Sequence, residues 1–219
     1  MHVTVIAKAP VPGQVKTRLC PPCTPEQAAQ VAAAALADTL TAVEEVARIS
    51  GARRVLLLAG DQQEWMPAAF DVVAQRGSGL EERLRNGFLD LGPGVIIGME
   101  TPHVAAALTD AVAAAHRGVD TIGLATDGGY WMIGLCAASV TMAHELFDGV
   151  PMSRTHTGLA QLRRMHACGR RVRLLPTARD LDTIDDLKAV AESGRTGRLA
   201  MVASRVLADI LRVEPTGSE

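Results

Sequence analysis

Short apolar runs alternate along this chain with longer segments in which apolar residues recur at helical spacing. Runs of strand length cover residues 3–8, 54–59, 71–74, 95–98, 121–125, 130–135 and 172–175. Helical patterns cover residues 24–48, 78–91, 104–116, 154–167, 183–192 and 198–211. Because short buried strands alternate with helices, the pattern predicts an α/β fold in which helices cover both faces of a mostly parallel central sheet.

Two local signals add detail to that prediction. Thr24 and Gln27 have the spacing of a capping box, and Pro25 suits the first turn of the long helix that follows. Only a few residues separate the runs at 121–125 and 130–135, which is too short for a helical crossover. We therefore do not expect these two strands to be parallel neighbours.

The composition is that of a globular protein rather than a nucleic-acid-binding one. Of the 219 residues, 48% are hydrophobic, enough for one well-filled core, and we see no internal repeat or flexible linker. We therefore expect one domain over residues 1–213 and a flexible polar tail over 214–219. With a net charge of -2 and 3% aromatic residues, the chain lacks the basic field and the stacking surfaces that nucleic acids require.

The distribution of apolar residues and cysteines also predicts the cellular compartment. No apolar run approaches the roughly 20 residues that span a bilayer, and we expect no signal peptide before the first strand. The sequence therefore predicts a cytoplasmic protein without a membrane span, in which the four cysteines are reduced thiols. Cys20 and Cys23 have the spacing of a redox pair, but they follow a basic loop rather than a strand, which favours incidental thiols.

The loop after the first strand is basic and stiff. Its cations, Lys8, Lys16 and Arg18, fall within eleven residues, and Pro10 and Gly13 stiffen and turn the backbone between them. Ligands of such sheets lie beyond the carboxyl ends of the strands. Lysine and arginine form strong charge-assisted bonds with phosphate, and a stiff loop loses less entropy on closing around an anion. The loop is therefore a candidate phosphate site, with a solvated surface loop as the alternative, and its glycine spacing excludes a Walker P-loop.

Acidic residues follow two other strands at the same predicted edge of the sheet. Glu100 comes after the fourth strand, and Asp180 and Asp182 come after the last one. Mg²⁺ takes one or two carboxylates together with waters and substrate phosphates, so acidic loops beside a basic loop suit a magnesium–phosphate site. The alternative is that these acids stabilise the helices that begin beside them, through the helix dipole.

A third segment, residues 126–131, places an acid before two glycines between the fifth and sixth strands. Gly128 and Gly129, after Asp127, would allow the backbone to approach a ligand closely. An ordinary Asp-Gly turn between two strands accounts for the same residues. The segment is therefore a candidate substrate-binding loop, with a plain turn as the alternative.

Together these segments resemble the bacterial proteins grouped as DUF2064, a family in the nucleotide-diphospho-sugar transferase superfamily that is related to 2-phospholactate guanylyltransferase. Residues 8–19, KAPVPGQVKTRL, are similar to the N-terminal signature of that family. The other similar segments are residues 98–102 (Gly-x-Asp-x-Pro in the family), 127–135 (its Asp-Gly-Gly segment), 152–158 (its Ser/Thr-rich helix start) and 180–183 (its Asp-x-Asp-Thr). The resemblance covers nearly the whole chain.

The resemblance implies a Rossmann-like fold of the glycosyltransferase-A (GT-A) type with a nucleotide site on the basic loop. The nucleotide-binding residues that it implies are Ala7, Lys8, Pro10, Gly13, Lys16, Thr17 and Arg18. The substrate-binding residues are Asp127, Gly128 and Gly129. Glu100 and Asp182 would hold Mg²⁺ or Mn²⁺. Glutamate at position 100 departs from the aspartate of the family and shifts the carboxylate by about one carbon–carbon bond, which predicts weaker or rearranged metal binding.

Two transfer reactions are compatible with these residues. In the first, a nucleoside triphosphate gives its nucleotidyl group to a phosphorylated small acceptor, with catalysis by Lys16, Arg18 and the metal and without a base. In the second, an NDP-sugar gives its sugar to an acceptor hydroxyl, and Asp127 is the candidate catalytic base. Three cations favour the first reaction, because a triphosphate carries more charge. A nucleotide-binding protein without catalysis is the third alternative, and a homodimer is left open.

Overall fold

The computed structural model describes residues 1–101, 104–194 and 196–213, and the described strands form one seven-stranded sheet. The strands are β1 (His2–Lys8), β2 (Arg53–Ala59), β3 (Asp71–Ala74), β4 (Gly94–Gly98), β5 (Asp120–Ala125), β6 (Tyr130–Leu135) and β7 (Val172–Ala178). Their order is β3-β2-β1-β4-β6-β5-β7. Strand β6 is antiparallel to both of its neighbours, whereas every other pair is parallel. The predicted α/β fold with a mostly parallel sheet is confirmed, as is the non-parallel relation of β5 and β6.

The described helices agree with the predicted ones except near the middle of the chain. They are α1 (Pro25–Ser50), α2 (Leu80–Leu91), α3 (Ala105–His116), α4 (Ala137–Val140), α5 (Ala143–Phe147), α6 (Thr157–Ala167), α7 (Ile184–Glu192) and α8 (Arg198–Val213). The short α4 and α5 were not predicted, because four or five residues are too few to show a helical period. The predicted tail at 214–219 and Pro102 lie outside the described residues.

Helix α6 begins at Thr157 rather than at residue 154, and the Thr157 hydroxyl explains the difference. This hydroxyl accepts a hydrogen bond from the Arg154 backbone N–H (3.0 Å) and donates one to the Pro151 carbonyl oxygen (2.7 Å). Both bonds close a turn ahead of the helix, and Ser153 within that turn has a positive φ of 56°. Residues 154–156 therefore belong to the connection that precedes α6.

Helix α1 forms as its first residues predict. The Thr24 hydroxyl accepts from the Gln27 backbone N–H (3.2 Å), and the Gln27 side chain accepts from the Thr24 backbone N–H (2.9 Å). Gly51 ends the helix in the left-handed conformation that residues with a β-carbon resist. One long face of α1 is buried, so this helix is a fixed support for the loop that precedes it.

Apolar residues are buried on both faces of the sheet. Leu40 of α1 and Leu108 of α3 pack with Ile97 of β4 in one cluster. Phe88 of α2 belongs, with Ile96 of the same strand, to a separate cluster. Neighbouring residues of a strand point to opposite faces, so these two clusters confirm that helices cover both sides. No helix in the described part of the chain is long and apolar enough to cross a bilayer. The four cysteines are free thiols.

Candidate functional site

A cavity of about 430 Å³ lies at the carboxyl ends of β1 and β4, and we call it the edge cavity. It lies where the strand order predicts a ligand. The predicted site residues that line it are Ala7, Lys8, Lys16, Thr17, Arg18, Glu100 and Asp182. Pro10, Gly13 and the segment 127–129 are not among its lining residues. The structure therefore brings the basic loop and both acidic loops to one cavity but leaves the Asp-Gly-Gly segment outside it.

The basic loop takes a defined shape before α1. Gly13 has a φ of +76°, which is why a residue without a β-carbon suits this turn. Lys16 also has a left-handed backbone, with φ 49° and ψ 34°, and it precedes a 3₁₀ turn over Thr17–Leu19. Leu19 is fully buried and anchors the end of the turn. The loop therefore presents Lys16 and Arg18 from a fixed backbone.

The Lys16 ammonium lies among the acidic residues rather than in open solvent. Its Nζ is 2.5 Å from Glu100 Oε1 and 3.1 Å from Asp182 Oδ1, and it also donates to the Leu181 carbonyl oxygen. The Lys16 side chain is only 4% exposed. Arg18 contacts the other oxygen of Asp182 at 2.9 Å, but its side chain is 73% exposed. Lys16 is therefore the buried cation of the site, and its predicted contact with phosphate stays a prediction.

Burial and mutual repulsion raise the pKa of two carboxyl groups in the site. Burial raises the pKa of Glu100, and the nearby ammonium of Lys16 opposes this shift. Burial, followed by the charges of Glu100, Asp127 and Asp182, raises the pKa of Asp180 to about 7. A cation bound beside these two carboxyl groups would therefore be favoured, because it would stabilise their charged forms.

The oxygen atoms around Lys16 fit a hard divalent cation. Carboxylates of Glu100 and Asp182 and the carbonyl of Leu181 converge on one positively charged atom, and oxygen is the ligand that Mg²⁺ and Mn²⁺ prefer. Thr101 also lines the cavity, and its buried hydroxyl has no hydrogen-bond partner in the described structure. Within the described ranges, no group of three His, Cys, Asp or Glu side chains is already arranged around a metal position. The oxygen ligands therefore suit a divalent cation, but the Lys16 ammonium contacts these same oxygens.

Sequence reasoning missed two polar residues of the cavity, one directly after β3 and one in the first turn of α2. Gln75 and Arg83 both line the edge cavity. The Gln75 amide donates to the carbonyl oxygens of Ala7 (2.7 Å) and Leu57 (2.9 Å), and its oxygen accepts from Arg83 (3.3 Å). Gln75 therefore ties Arg83 to the end of β1. Its position directly after β3, at the carboxyl edge of the sheet, was the signal that could have found it.

The Asp-Gly-Gly segment forms a tight turn between β5 and β6. Asp127 Oδ1 accepts from the Gly129 backbone N–H at 2.8 Å, as an ordinary turn residue does. Gly128 has a φ of +92°, and a β-carbon there would lie 1.8 Å from the Thr155 carbonyl oxygen. The Gly128 carbonyl accepts from the Gly158 N–H at 2.9 Å. These contacts agree with the alternative of a structural turn, and the predicted substrate-binding role of residues 127–129 stays a prediction.

A second cavity of about 1050 Å³ adjoins the first, and we call it the helix cavity because α1, α7 and α8 contribute to it. Glu100 and Asp180 line both cavities. The acids of the helix cavity are Asp38, Glu45, Glu100, Asp180 and Asp186, and its cations are Arg179 and Arg198. Both arginines pair with acids of the same lining, namely Asp186 and Asp38. The lining is therefore acidic overall.

The fold and the site define an α/β protein with a cation-rich loop and acids at one sheet edge. The chain belongs to the family described as "Uncharacterized protein conserved in bacteria (DUF2064)", which matches residues 28–154. The basic loop lies before that range. No curated protein matches the chain.

Solved structures share this fold. A candidate nucleotide-diphospho-sugar transferase from Desulfovibrio desulfuricans G20 is 23% identical, with a TM-score of 0.83, and the match covers 97% of this chain and 98% of that one. A cytidylyltransferase from Leptospira borgpetersenii serovar Hardjo-bovis is 13% identical, with a TM-score of 0.54 and coverage of 100% and 98%. Rv0371c from Mycobacterium tuberculosis H37Rv is 20% identical, with a TM-score of 0.51 and coverage of 88% and 99%. At these identities the likeness shows the fold, and it confirms the predicted GT-A-like architecture.

Proposed function

We propose that the chain is a nucleotide-dependent transferase that moves a nucleotidyl group from a nucleoside triphosphate to a phosphorylated small acceptor. The observation that carries this proposal is that cations without an ion-pair partner and carboxylates line the same edge cavity. Lys8 and Arg83 line it and form no ion pair with any described residue, whereas Glu100 and Asp182 supply carboxylates at the same edge. A Mg²⁺-bound triphosphate needs both, because cations hold its oxygens and carboxylates hold its metal.

The reaction requires little of the protein beyond binding and charge neutralisation. An oxygen of the acceptor phosphate attacks the α-phosphorus, the bond from that phosphorus to the bridging oxygen breaks, and pyrophosphate leaves with the electron pair. The attacking oxygen is already anionic, so no residue has to remove a proton. Lys8, Arg18 and Arg83 would orient the triphosphate and stabilise charge on the leaving oxygens. Mg²⁺ or Mn²⁺, when bound by Glu100 and Asp182, would neutralise further phosphate charge.

The transferase names of two structural neighbours agree with this proposal. The Desulfovibrio protein is described as a candidate nucleotide-diphospho-sugar transferase and the Leptospira protein as a cytidylyltransferase. Both classes bind a nucleotide with a chain of phosphates. The edge cavity is thus expected to hold a nucleotide whichever group is transferred.

The first experiment identifies the nucleotide. Thermal unfolding is measured with ATP, CTP, GTP and UTP and with their common NDP-sugars, with and without Mg²⁺. A ligand at about 100 times its dissociation constant adds roughly 2.7 kcal/mol of stability. Pyrophosphate release is then followed with the best triphosphate and a panel of small phosphorylated acids. If no nucleotide shifts the transition, the proposal is wrong and a protein without nucleotide-dependent chemistry remains.

A substitution of Arg83, compared with the same substitution of a nearby arginine outside the cavity, tests the site. Arg83→Met removes a cation of the cavity, whereas Arg76→Met removes a nearby arginine that is 60% exposed and pairs with Asp90. A hydrogen bond to a charged group is worth about 1.5–3 kcal/mol, which corresponds to roughly 10- to 100-fold in affinity. We expect Arg83→Met to weaken binding of the selected nucleotide by that factor and Arg76→Met to leave it unchanged. Equal affinities of the two variants would contradict the assignment.

The helix cavity favours a second function, the transfer of sugar from an NDP-sugar to a hydroxyl. Its acidic lining disfavours a phosphorylated acceptor and suits a neutral one. Asp180 and Glu100 line both cavities, so a hydroxyl in the helix cavity would meet a carboxylate that could take its proton. The hydroxyl oxygen would attack the anomeric carbon, and the nucleoside diphosphate would leave with the electron pair. Tighter binding of an NDP-sugar than of the matching triphosphate, with release of the diphosphate, would establish this function instead.

A further inference from the structure

Lys16 occupies the position from which a divalent cation would contact the acids of the edge cavity. Its Nζ lies 2.5 Å from Glu100 Oε1 and 3.1 Å from Asp182 Oδ1, and it donates to the Leu181 carbonyl oxygen. An ammonium has three donors and no acceptor, so three oxygens satisfy it completely. With 4% of its side chain exposed, Lys16 is held there by the loop and the acids together.

The same oxygens are ligands for Mg²⁺, so a metal ion and the Lys16 ammonium would compete for them. Mg²⁺ binds carboxylate oxygens at about 2.0–2.1 Å. An ion at that distance from Glu100 Oε1, which is 2.5 Å from Lys16 Nζ, would lie at most about 4.6 Å from the ammonium nitrogen, and the two positive charges would repel each other. Lys16 and a metal therefore compete for one position.

We propose that Lys16 is a resident counter-ion, which a divalent cation displaces from Glu100 and Asp182, and that the released ammonium then binds the phosphates of the nucleotide. This deepens the proposed function and rests on it for the phosphate ligand. Lys16 lines the edge cavity, so its flexible four-carbon stem can reach an anion there while the backbone stays in place. Metal and nucleotide then bind cooperatively, because the phosphates receive the cation that the metal releases.

The first test follows the Lys16 ammonium directly in the unmodified chain without nucleotide. The lysines of the sequence are Lys8, Lys16 and Lys188, of which Lys8 is exposed and the Lys188 side chain is 54% exposed. Reductive methylation is measured at each lysine by mass spectrometry while Mg²⁺ is titrated. We expect Lys16 to react slowly without metal and at least about tenfold faster with it, because its charge-assisted bonds must break first. Lys8 and Lys188 should react at constant rates and serve as internal controls.

The second test measures metal affinity. Binding of Mn²⁺ is followed by the loss of the free-ion electron paramagnetic resonance signal for the native chain, Lys16→Met and Arg18→Met. Arg18 contacts the same carboxylate, at Asp182 Oδ2, but is 73% exposed, so it controls for the loss of a nearby charge. We expect Lys16→Met to bind Mn²⁺ about 10- to 100-fold more tightly than the native chain. In the native chain the metal must displace the charged hydrogen bonds of Lys16, and each of these bonds lowers the Mn²⁺ affinity by about a factor of ten or more. Arg18→Met should change the affinity by less than about threefold.

Two results would overturn the proposal. One is a Lys16 methylation rate that does not respond to Mg²⁺ at any concentration. The other is a Lys16→Met protein that binds Mn²⁺ no more tightly than Arg18→Met. If Lys16→Met does not fold, the methylation experiment on the native chain decides alone. Neither measurement contains a nucleotide, so failure of the proposed transferase activity is a separate outcome from failure of the cation exchange.

Discussion

A buried ion pair at the opposite end of β5 from the edge cavity gives a sharp stability prediction. Asp120 is fully buried, and its carboxylate accepts from Arg170 Nε (3.1 Å), from the Ser139 hydroxyl (2.5 Å) and from the Cys136 backbone N–H (2.9 Å). Arg170→Met removes the only one of these three donors that carries a charge. The carboxylate then stays buried with two neutral donors. Removing one partner of a buried pair costs about 3–5 kcal/mol.

Arg173 provides the control for this prediction, because it is also an arginine paired with an aspartate. Its contact with Asp110 is 3.0 Å long, but the two side chains are 46% and 58% exposed. Such surface pairs are worth about 0–1 kcal/mol, so Arg173→Met should be nearly neutral. For a chain of this length, each kcal/mol shifts the melting temperature by about 2–4 °C. Arg170→Met is therefore expected to lower it by about 6–20 °C.

The assay is urea unfolding at neutral pH for both variants, with a thermal scan as an independent measure. The slope against urea should stay the same, because the same surface is exposed on unfolding. If the two variants differ by less than about 1 kcal/mol, the reasoning that burial sets the value of this pair is refuted.

Two further predictions use the same assays. Burial lowers the pKa of His2 from 6.5 to about 4, so the native state resists protonation there. The contribution of His2 to the free energy of unfolding is fully present above the pKa of the unfolded state, about 6.5, and is lost as the pH falls towards the folded-state pKa of about 4. The native chain should therefore lose about 2–3 kcal/mol more than His2→Gln between pH 7 and 4.5, and equal losses would contradict the assignment. Gly128→Ala places a β-carbon 1.8 Å from the Thr155 carbonyl oxygen, whereas Gly118→Ala, also at positive φ, meets nothing within 4 Å. Gly128→Ala should cost about 1–3 kcal/mol more than Gly118→Ala, and equal urea midpoints would show that the turn adapts.

Most of the fold could be predicted from the local pattern of apolar residues. The features that were not predicted are those that depend on contacts between distant residues or on elements too short to show a period. The runs that became β1, β4 and β7 are short and rich in apolar residues, and the gap before β6 excludes a helical crossover. The position of β6 between β4 and β5 depends on pairing between distant residues, which no local signal contains. Helices α4 and α5 were missed because one turn shows no period.

The candidate site shows the same division. The order of strands and loops along the chain is enough to predict that the basic loop, Glu100 and Asp182 meet at the carboxyl edge of the sheet, and all three line the edge cavity. The carboxyl-edge rule does not say which way a side chain turns, so it does not predict that the Lys16 ammonium contacts Glu100 and Asp182 within the cavity. Arg83 was missed for a different reason, because it belongs to α2 rather than to a segment that directly follows a strand.

Glu100, where the family that the sequence resembles has aspartate, helps to explain the position of the Lys16 side chain. Glu100 Oε1 lies 2.5 Å from Lys16 Nζ. Aspartate on the same backbone would be shorter by one carbon–carbon bond of about 1.5 Å, which would leave its carboxylate about 4 Å from the ammonium, at the limit of an ion pair. The methylene that is predicted to disturb metal geometry thus brings Glu100 into contact with Lys16. Weaker metal binding, expected from the residue change alone, then has a second cause in the competing cation. The phosphates of a nucleotide would weaken that competition by giving Lys16 another partner.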